Sequence, residues 1–385
     1  MERTTCMTPG WKLVILLAII SAISACDGAR SAERGRAEIL EPIPLARSAS
    51  EIEFSRITDL SVDSRGQMYV GDLFGQVIVM REDGSLARRM GRNGAGPGEY
   101  QAIGTVHVLE DDSLYVYDGY ALRATVYAPH SNRVAYTTRF PQPDYSYPVD
   151  VEPNQPGSLI AHFRRMNGTV PIAGQRRNDV VRVLGRDGSV LRDTVITVPE
   201  PEVVEVQSAV NHGFYLPEFA RQTLVRWSPD GRIYSLWTDS TQVHVHDTSG
   251  RPRGSFTADL GVPRLPLSAS TIDSVAQANA ATGITSRTLS EAFRSRWQTW
   301  PLVQDMLVDD QSRIWILPVS HAPQVSWHAF DARGKQLARL QLPRTVRPRL
   351  IRGDRMYAVS RDSLDVETLV VYRLAPSSTR TPEGS

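Results

Sequence analysis

"GRNGAGPGEYQAIGTVHVLEDDSLYVYD", residues 91–118, decides the fold. Its first ten residues hold four glycines and a proline. Such a loop can cradle phosphate when a strand precedes it and a helix opens directly behind it. No helix follows here. The residues after Tyr100 are β-rich, and no Gly-Lys-Ser/Thr ending supplies a phosphate lysine. The stretch therefore reads as a connector that lets the chain turn tightly between two β units.

The unit it connects recurs. A turn followed by an apolar residue and usually an aromatic appears as "RGQMYV", "DDSLYV", "PGSLIA", "DGRIYS", "QSRIWI" and "GDRMYA". Anchored on Tyr69, Tyr115, Ile160, Tyr234, Trp315 and Tyr357, the spacings are 46, 45, 74, 81 and 42 residues. Three of these are one repeat length, and two carry insertions. Within the first unit, "ITDLSV", "QMYVG", "QVIVM" and "SLARRM" read as four short strands. "REDGSL", "GRDGSV", "SPDGRI" and "DARGKQ" supply the Asp and Gly that tight hairpins need. Six four-stranded units closed radially predict an all-β, six-bladed propeller. The last unit has only three strands, "PRLI", "RMYAV" and "ETLVVYRL", so "AEILEPIPL" (37–45) is expected to complete it and protect its edge.

Residues 91–127 resemble an NHL-type repeat in their glycine-rich linker, Asp/Gly turn and Tyr-Val-x-Asp strand, in that order. The resemblance is strong over 57–127 and weaker afterwards, with 228–250 still recognisable. It implies a six-bladed NHL-type propeller lipoprotein of an uncharacterised bacterial family.

The N-terminus agrees with that implication. Arg3 and Lys12 precede the apolar run "LVILLAIISAI" (13–23), which is short for a membrane span. "ISAC", Ile23 to Cys26, resembles the bacterial lipobox. The resemblance implies a signal peptide over 1–26 and a lipidated, palmitate-bearing Cys26 in the cell envelope, periplasmic or surface-exposed. Residues 27–36 then read as a tether, 37–375 as the propeller and 376–385 as a polar tail. With 43 basic and 42 acidic residues, the chain lacks the basic excess that nucleic acid would require. Its expected contacts are the membrane, through the lipid, and a protein, peptide or glycan.

Three insertions fall on connections expected to share one rim: 164–178 between strands two and three of blade three, 199–222 between blades three and four, and 261–301 between blades four and five. The last reads as a small helical insertion, with Phe293, Trp297 and Trp300 at helical spacing for packing. Arg164, Arg165, Arg176 and Arg177 surround the first, and arginine forks suit carboxylate or phosphate.

Counting back ten residues from each anchor aligns Asp59, Thr105, Asp150, Leu224, Asp305 and Arg347 on the inner strands. Asp59, Asp150 and Asp305 would offer oxygen ligands for Ca²⁺ or Mg²⁺ if they met at the channel mouth. Otherwise they serve turns or pair with Arg347, itself a candidate ligand-binding residue. His244 and His246 share a strand face without a third ligand nearby. No HExxH, CxxC pair, GxSxG or P-loop is present. The reading is a non-enzymatic, lipid-anchored propeller that binds its partner through the loop-rich face. The alternative is a metal-dependent hydrolase or lyase at the channel mouth.

Overall fold

The computed structural model describes residues 36–45, 52–143, 146–154, 157–165 and 177–376. Cys26 with the predicted signal peptide, the predicted tether through residue 35, Arg176 and the predicted tail from 377 lie outside the described residues.

The chain begins with β1 (Arg36–Ile43) and then builds blades in order. Blade one is β2 (Ile57–Val62), β3 (Met68–Asp72), β4 (Gln76–Met80) and β5 (Leu86–Met90). Blade two is β6 (Ile103–Val108), β7 (Leu114–Asp118), β8 (Arg123–Tyr127) and β9 (Val134–Arg139). Blade three is β10 (Ser146–Pro153), β11 (Ser158–Arg165), β12 (Asn178–Gly185) and β13 (Val190–Pro199). A hairpin, β14 (Val204–Gln207) and β15 (His212–Tyr215), precedes blade four: β16 (Thr223–Trp227), β17 (Arg232–Trp237), β18 (Gln242–Asp247) and β19 (Pro252–Thr257). Helices α1 (Ala269–Ala278) and α2 (Ser286–Arg296) follow. Blade five is β20 (Val303–Val308), β21 (Ile314–Pro318), β22 (Gln324–Phe330) and β23 (Gln336–Pro343). Blade six contains β24 (Val346–Arg352), β25 (Arg355–Arg361) and β26 (Glu367–Pro376). The protein is an all-β, six-bladed propeller with its helical insertion between blades four and five.

β1 lies antiparallel to β26 from Glu38↔Pro376 to Ile43↔Val371, and its first two residues pair in parallel with Ala338 and Arg339 of β23. One strand thus satisfies the edge of blade six and touches that of blade five. Open edges of this kind are ready templates for wrong pairing. Six apolar clusters fill the six seams between consecutive blades. Strands buried on both faces read as apolar runs, as in β21 "IWILP", whereas outer strands such as β23 alternate. Among the described residues no helix is long and apolar enough to cross a membrane.

The aromatic anchors have a structural reason. Asp63 accepts the amides of Arg65 and Gln67 in the turn, and Tyr69 reaches back to donate its hydroxyl to the same carboxylate at 3.1 Å. Asp309 repeats the arrangement, with the Trp315 indole donating at 2.8 Å. Tyr69 and Trp315 therefore each fill a seam and lock a turn.

The glycine-rich connector is also self-contained. Glu99 accepts the Gly96 amide at 2.8 Å and pairs with Arg92 at 2.6 Å, so the loop's own carboxylate occupies the place an anion would take. Buried Arg123 of blade two donates to the Ala95 and Glu99 carbonyls at 2.8 and 2.6 Å. Gly75 must be glycine: at φ +99° a Cβ would lie 2.6 Å from the Tyr100 carbonyl oxygen.

Candidate functional site

The inner strands set the site. β2, β6, β10 and β20 each carry a bulge at the same place, which brings Asp59, Thr105, Asp150 and Asp305 opposite Gly71, Tyr117, His162 and Leu317. In β24 the bulge falls later, between Pro348 and Leu350. Arg347 is exposed as a result, and Arg349 and Arg352 are the arginines of β24 that line the channel.

An axial cavity of about 1240 Å³ is lined by inner-strand residues of all six blades. The residues eight before each anchor, Ser61, His107, Glu152, Arg226, Leu307 and Arg349, all lie in its wall. Of those ten before, only Asp59, Thr105 and Asp150 do. The expected three-carboxylate metal site is therefore not assembled. Asp305 accepts the Met306 amide at 2.8 Å and pairs with Arg226 at 3.3 Å, which sets it apart from the other two. Among the described residues no group of three His, Cys, Asp or Glu side chains could hold a metal ion.

Asp59, Asp150 and Glu152 line the channel together and act on one another through their charges. Asp59 accepts the Val106 amide at 2.8 Å, and Thr105 donates its hydroxyl to Asp150 at 2.8 Å. Asp59 retains access to the channel but is encircled by protein. Burial pushes its carboxyl up to about 7, against its backbone hydrogen bonds, while the charge of Asp150 adds to the rise and Arg349 opposes it. Burial raises Glu152 well above the carboxylate range, followed by the charges of Asp150 and Asp59. A Trp227 hydrogen bond and Arg226 act in the other direction. Burial, then Arg352, lowers His107 to about 4, so its imidazole is neutral at physiological pH. The wall can therefore store protons, accept hydrogen bonds and answer a cation.

The cavity opens among the turns joining first to second strands, at Ser64, Asp112, Asn154, Asp230 and Asp310. Strand alternation puts the three insertions at the other end. There Arg164 pairs with Asp179 at 3.2 Å, beside His162 at 3.0 Å, and Arg177 pairs with Glu200 at 3.6 Å. Arg165 is exposed. Two of the predicted anion-binding forks are thus engaged within the protein. Phe293 and Trp297 are buried against Phe219, with Trp297 donating its indole N–H to Glu202 at 2.8 Å. Exposed Phe74 and Tyr120 tip the second-to-third turns of blades one and two on this same rim. His244 and His246 share a face of β18 and gather no third ligand among the described residues.

Sequence reasoning missed Glu152, His107, Arg226 and Arg349. Counting eight rather than ten residues back from the anchors would have found all four.

No protein-family model matches the chain. No curated protein matches its sequence. Among solved structures, a member of the DUF4221 family from Bacteroides vulgatus is similar at 10% identity, over 90% of this chain and 100% of that one, with a TM-score of 0.53. A Bacteroides fragilis protein thought to be exported is 11% identical over 88% of this chain and 95% of its own, with a TM-score of 0.49. A gluconolactonase from Xanthomonas campestris is 13% identical over 89% and 97%, with a TM-score of 0.46. At such identities a likeness speaks for fold alone, and the first of these supports the propeller architecture.

Proposed function

We propose that this chain is an NHL-type propeller lipoprotein of the bacterial envelope, held by lipid on Cys26, that binds a peptide or glycan through its axial channel without turning it over. The carrying observation is the cavity itself. At about 1240 Å³ it exceeds the range of roughly 300–1,000 Å³ usual for small-molecule pockets, so it suits an extended ligand. Its wall mixes carboxyl, arginine, imidazole and indole groups, which suits a polar one. The insertion-bearing rim offers less for this purpose, because the aromatics of its helical insertion are packed and Arg164 and Arg177 are paired.

Photo-crosslinking in live cells tests this reading. A crosslinker placed at Asp230, at the mouth, is expected to capture the partner, and one at Arg165, on the opposite rim, is not. Capture from Arg165 alone would overturn the channel as the site.

A second reading, a hydrolase or lyase working at the channel, is favoured by Asp59, which burial poises near neutrality for proton transfer. It requires turnover of a captured ligand that Asp59→Asn abolishes without loss of binding.

A further inference from the structure

On one side the cavity extends outward into the seam between blades two and three, lined by Tyr115, Val126 and Tyr136 from one blade and Leu159 from the other. At its inner end stand the three carboxyl groups. We propose that Asp59, Asp150 and Glu152 form a receptor for a primary ammonium group, carried by an extended ligand whose body lies in this seam. The inference deepens the channel reading and rests on it.

The charge arrangement carries the argument. Asp59 comes from β2, and Asp150 and Glu152 from β10, so two blades turn carboxyl groups toward one region of the wall. The arginines nearby keep their positive charge, but among the described residues none forms an ion pair with these three groups. Arg226 donates to the Val225 carbonyl at 2.8 Å and pairs with Asp305, Arg349 donates to the Ile57 carbonyl at 3.4 Å, and Arg352 donates to the Val62 carbonyl. His107, on the intervening β6, is neutral and brings no positive charge. Burial and mutual repulsion hold Asp59 and Glu152 toward their protonated forms. A cation placed among the three groups would reverse that repulsion.

A second observation points the same way. Tyr115 lines the cavity at 2% exposure, and its hydroxyl has no hydrogen-bond partner among the described residues. Asp150 and Glu152 are the carboxyl groups that act on it. An unpaired buried hydroxyl is costly, so a polar partner beside it is favoured. An ammonium group supplies three donors at hydrogen-bond distance. Calcium and magnesium demand ligands at about 2.0–2.6 Å in a closer shell, and no group of three described side chains could hold such an ion. Thr105 holds the Asp150 carboxylate in place for the ammonium.

Calorimetry on the purified full chain at neutral pH tests the proposal with three probes: 1,5-diaminopentane, 1,5-pentanediol and Ca²⁺ alone. The diamine is expected to bind about tenfold more tightly than either of the others, and Asp150→Asn or Glu152→Gln to weaken it about fivefold or more. Equal binding of diamine and diol, tighter binding of Ca²⁺, or a diamine affinity indifferent to both substitutions would overturn it. If those two variants fail to fold, Asp59→Asn, which keeps a carbonyl acceptor for the Val106 amide, carries the same comparison. Failure of the channel reading would look different: the partner would crosslink from the opposite rim while diamine binding persisted.

Discussion

Thr105 donates its hydroxyl hydrogen to Asp150 at 2.8 Å, across the seam between blades two and three. The preceding seam is stitched in the same way, by the Val106 amide to Asp59 at 2.8 Å and the Val108 amide to Ser61 at 3.0 Å. The groups that give the channel its chemistry therefore also hold blades together. Thr105→Val should cost about 1–2 kcal/mol, because a partly buried carboxylate loses its donor. Thr105→Ser should restore most of it. Urea denaturation of the three proteins checks this, and equal midpoints for all of them would contradict it.

Asp59 makes stability depend on pH in the direction opposite to a salt-bridged carboxylate. Its pKa is 3.8 in the unfolded reference and about 7 when folded, so over that window the folded state holds a proton that the unfolded chain has lost. The contribution is fully present below about pH 4 and is lost as pH rises to about 7. Asp59→Asn removes the ionisation and retains an acceptor for Val106. It should be more stable than the parent by about 1–3 kcal/mol at pH 8 and nearly equal to it at pH 4. Thermal melts across pH would show the two curves converging in acid, and parallel curves would refute the assignment.

The helical insertion has a core of its own, centred on Trp297, Phe293 and Phe219. Trp297→Phe removes the indole donor to Glu202 and leaves space behind, at a cost of about 1–3 kcal/mol. The loss should stay local. Hydrogen exchange is expected to quicken over 204–215 and 269–296 while the blades keep their protection. Uniform acceleration throughout the chain would mean that the insertion and the ring unfold together.

Cys26→Ser should abolish palmitate labelling and release the protein from membranes. Equal labelling of variant and parent would remove the lipid anchor from the proposal.

The architecture was legible because its signals are local. The Asp63 turn with its returning Tyr69, the tight Asp/Gly hairpins, and the helix caps Ser268 and Thr285, which accept the Thr271 and Thr288 amides, each lie within a few residues of one another. The site was only partly legible, because it depends on depth in the channel. The carboxylates Asp59, Asp150 and Asp305 do share one register, but the cavity reaches that level only on blades one to three. Arg226 takes Asp305 away from the other two. Arg347 was misjudged because a bulge three residues out of phase leaves no mark on spacing counted from Tyr357. The β14–β15 hairpin went unread because its four-residue strands are too short for alternation to stand out from an irregular insertion.

The direction of β1 bears on how the molecule would stand on a surface. Running antiparallel to β26, it enters blade six at the Pro376 end and leaves toward Val371. Its first residue, Arg36, therefore lies at the end of the ring where strands one turn into strands two, the end at which the channel opens. Ten peptide steps from Cys26 to Arg36 span at most about 35 Å, comparable with the thickness of a bilayer. A lipid at Cys26 would thus attach on the side of the ring where the channel opens, within about 35 Å of the first strand.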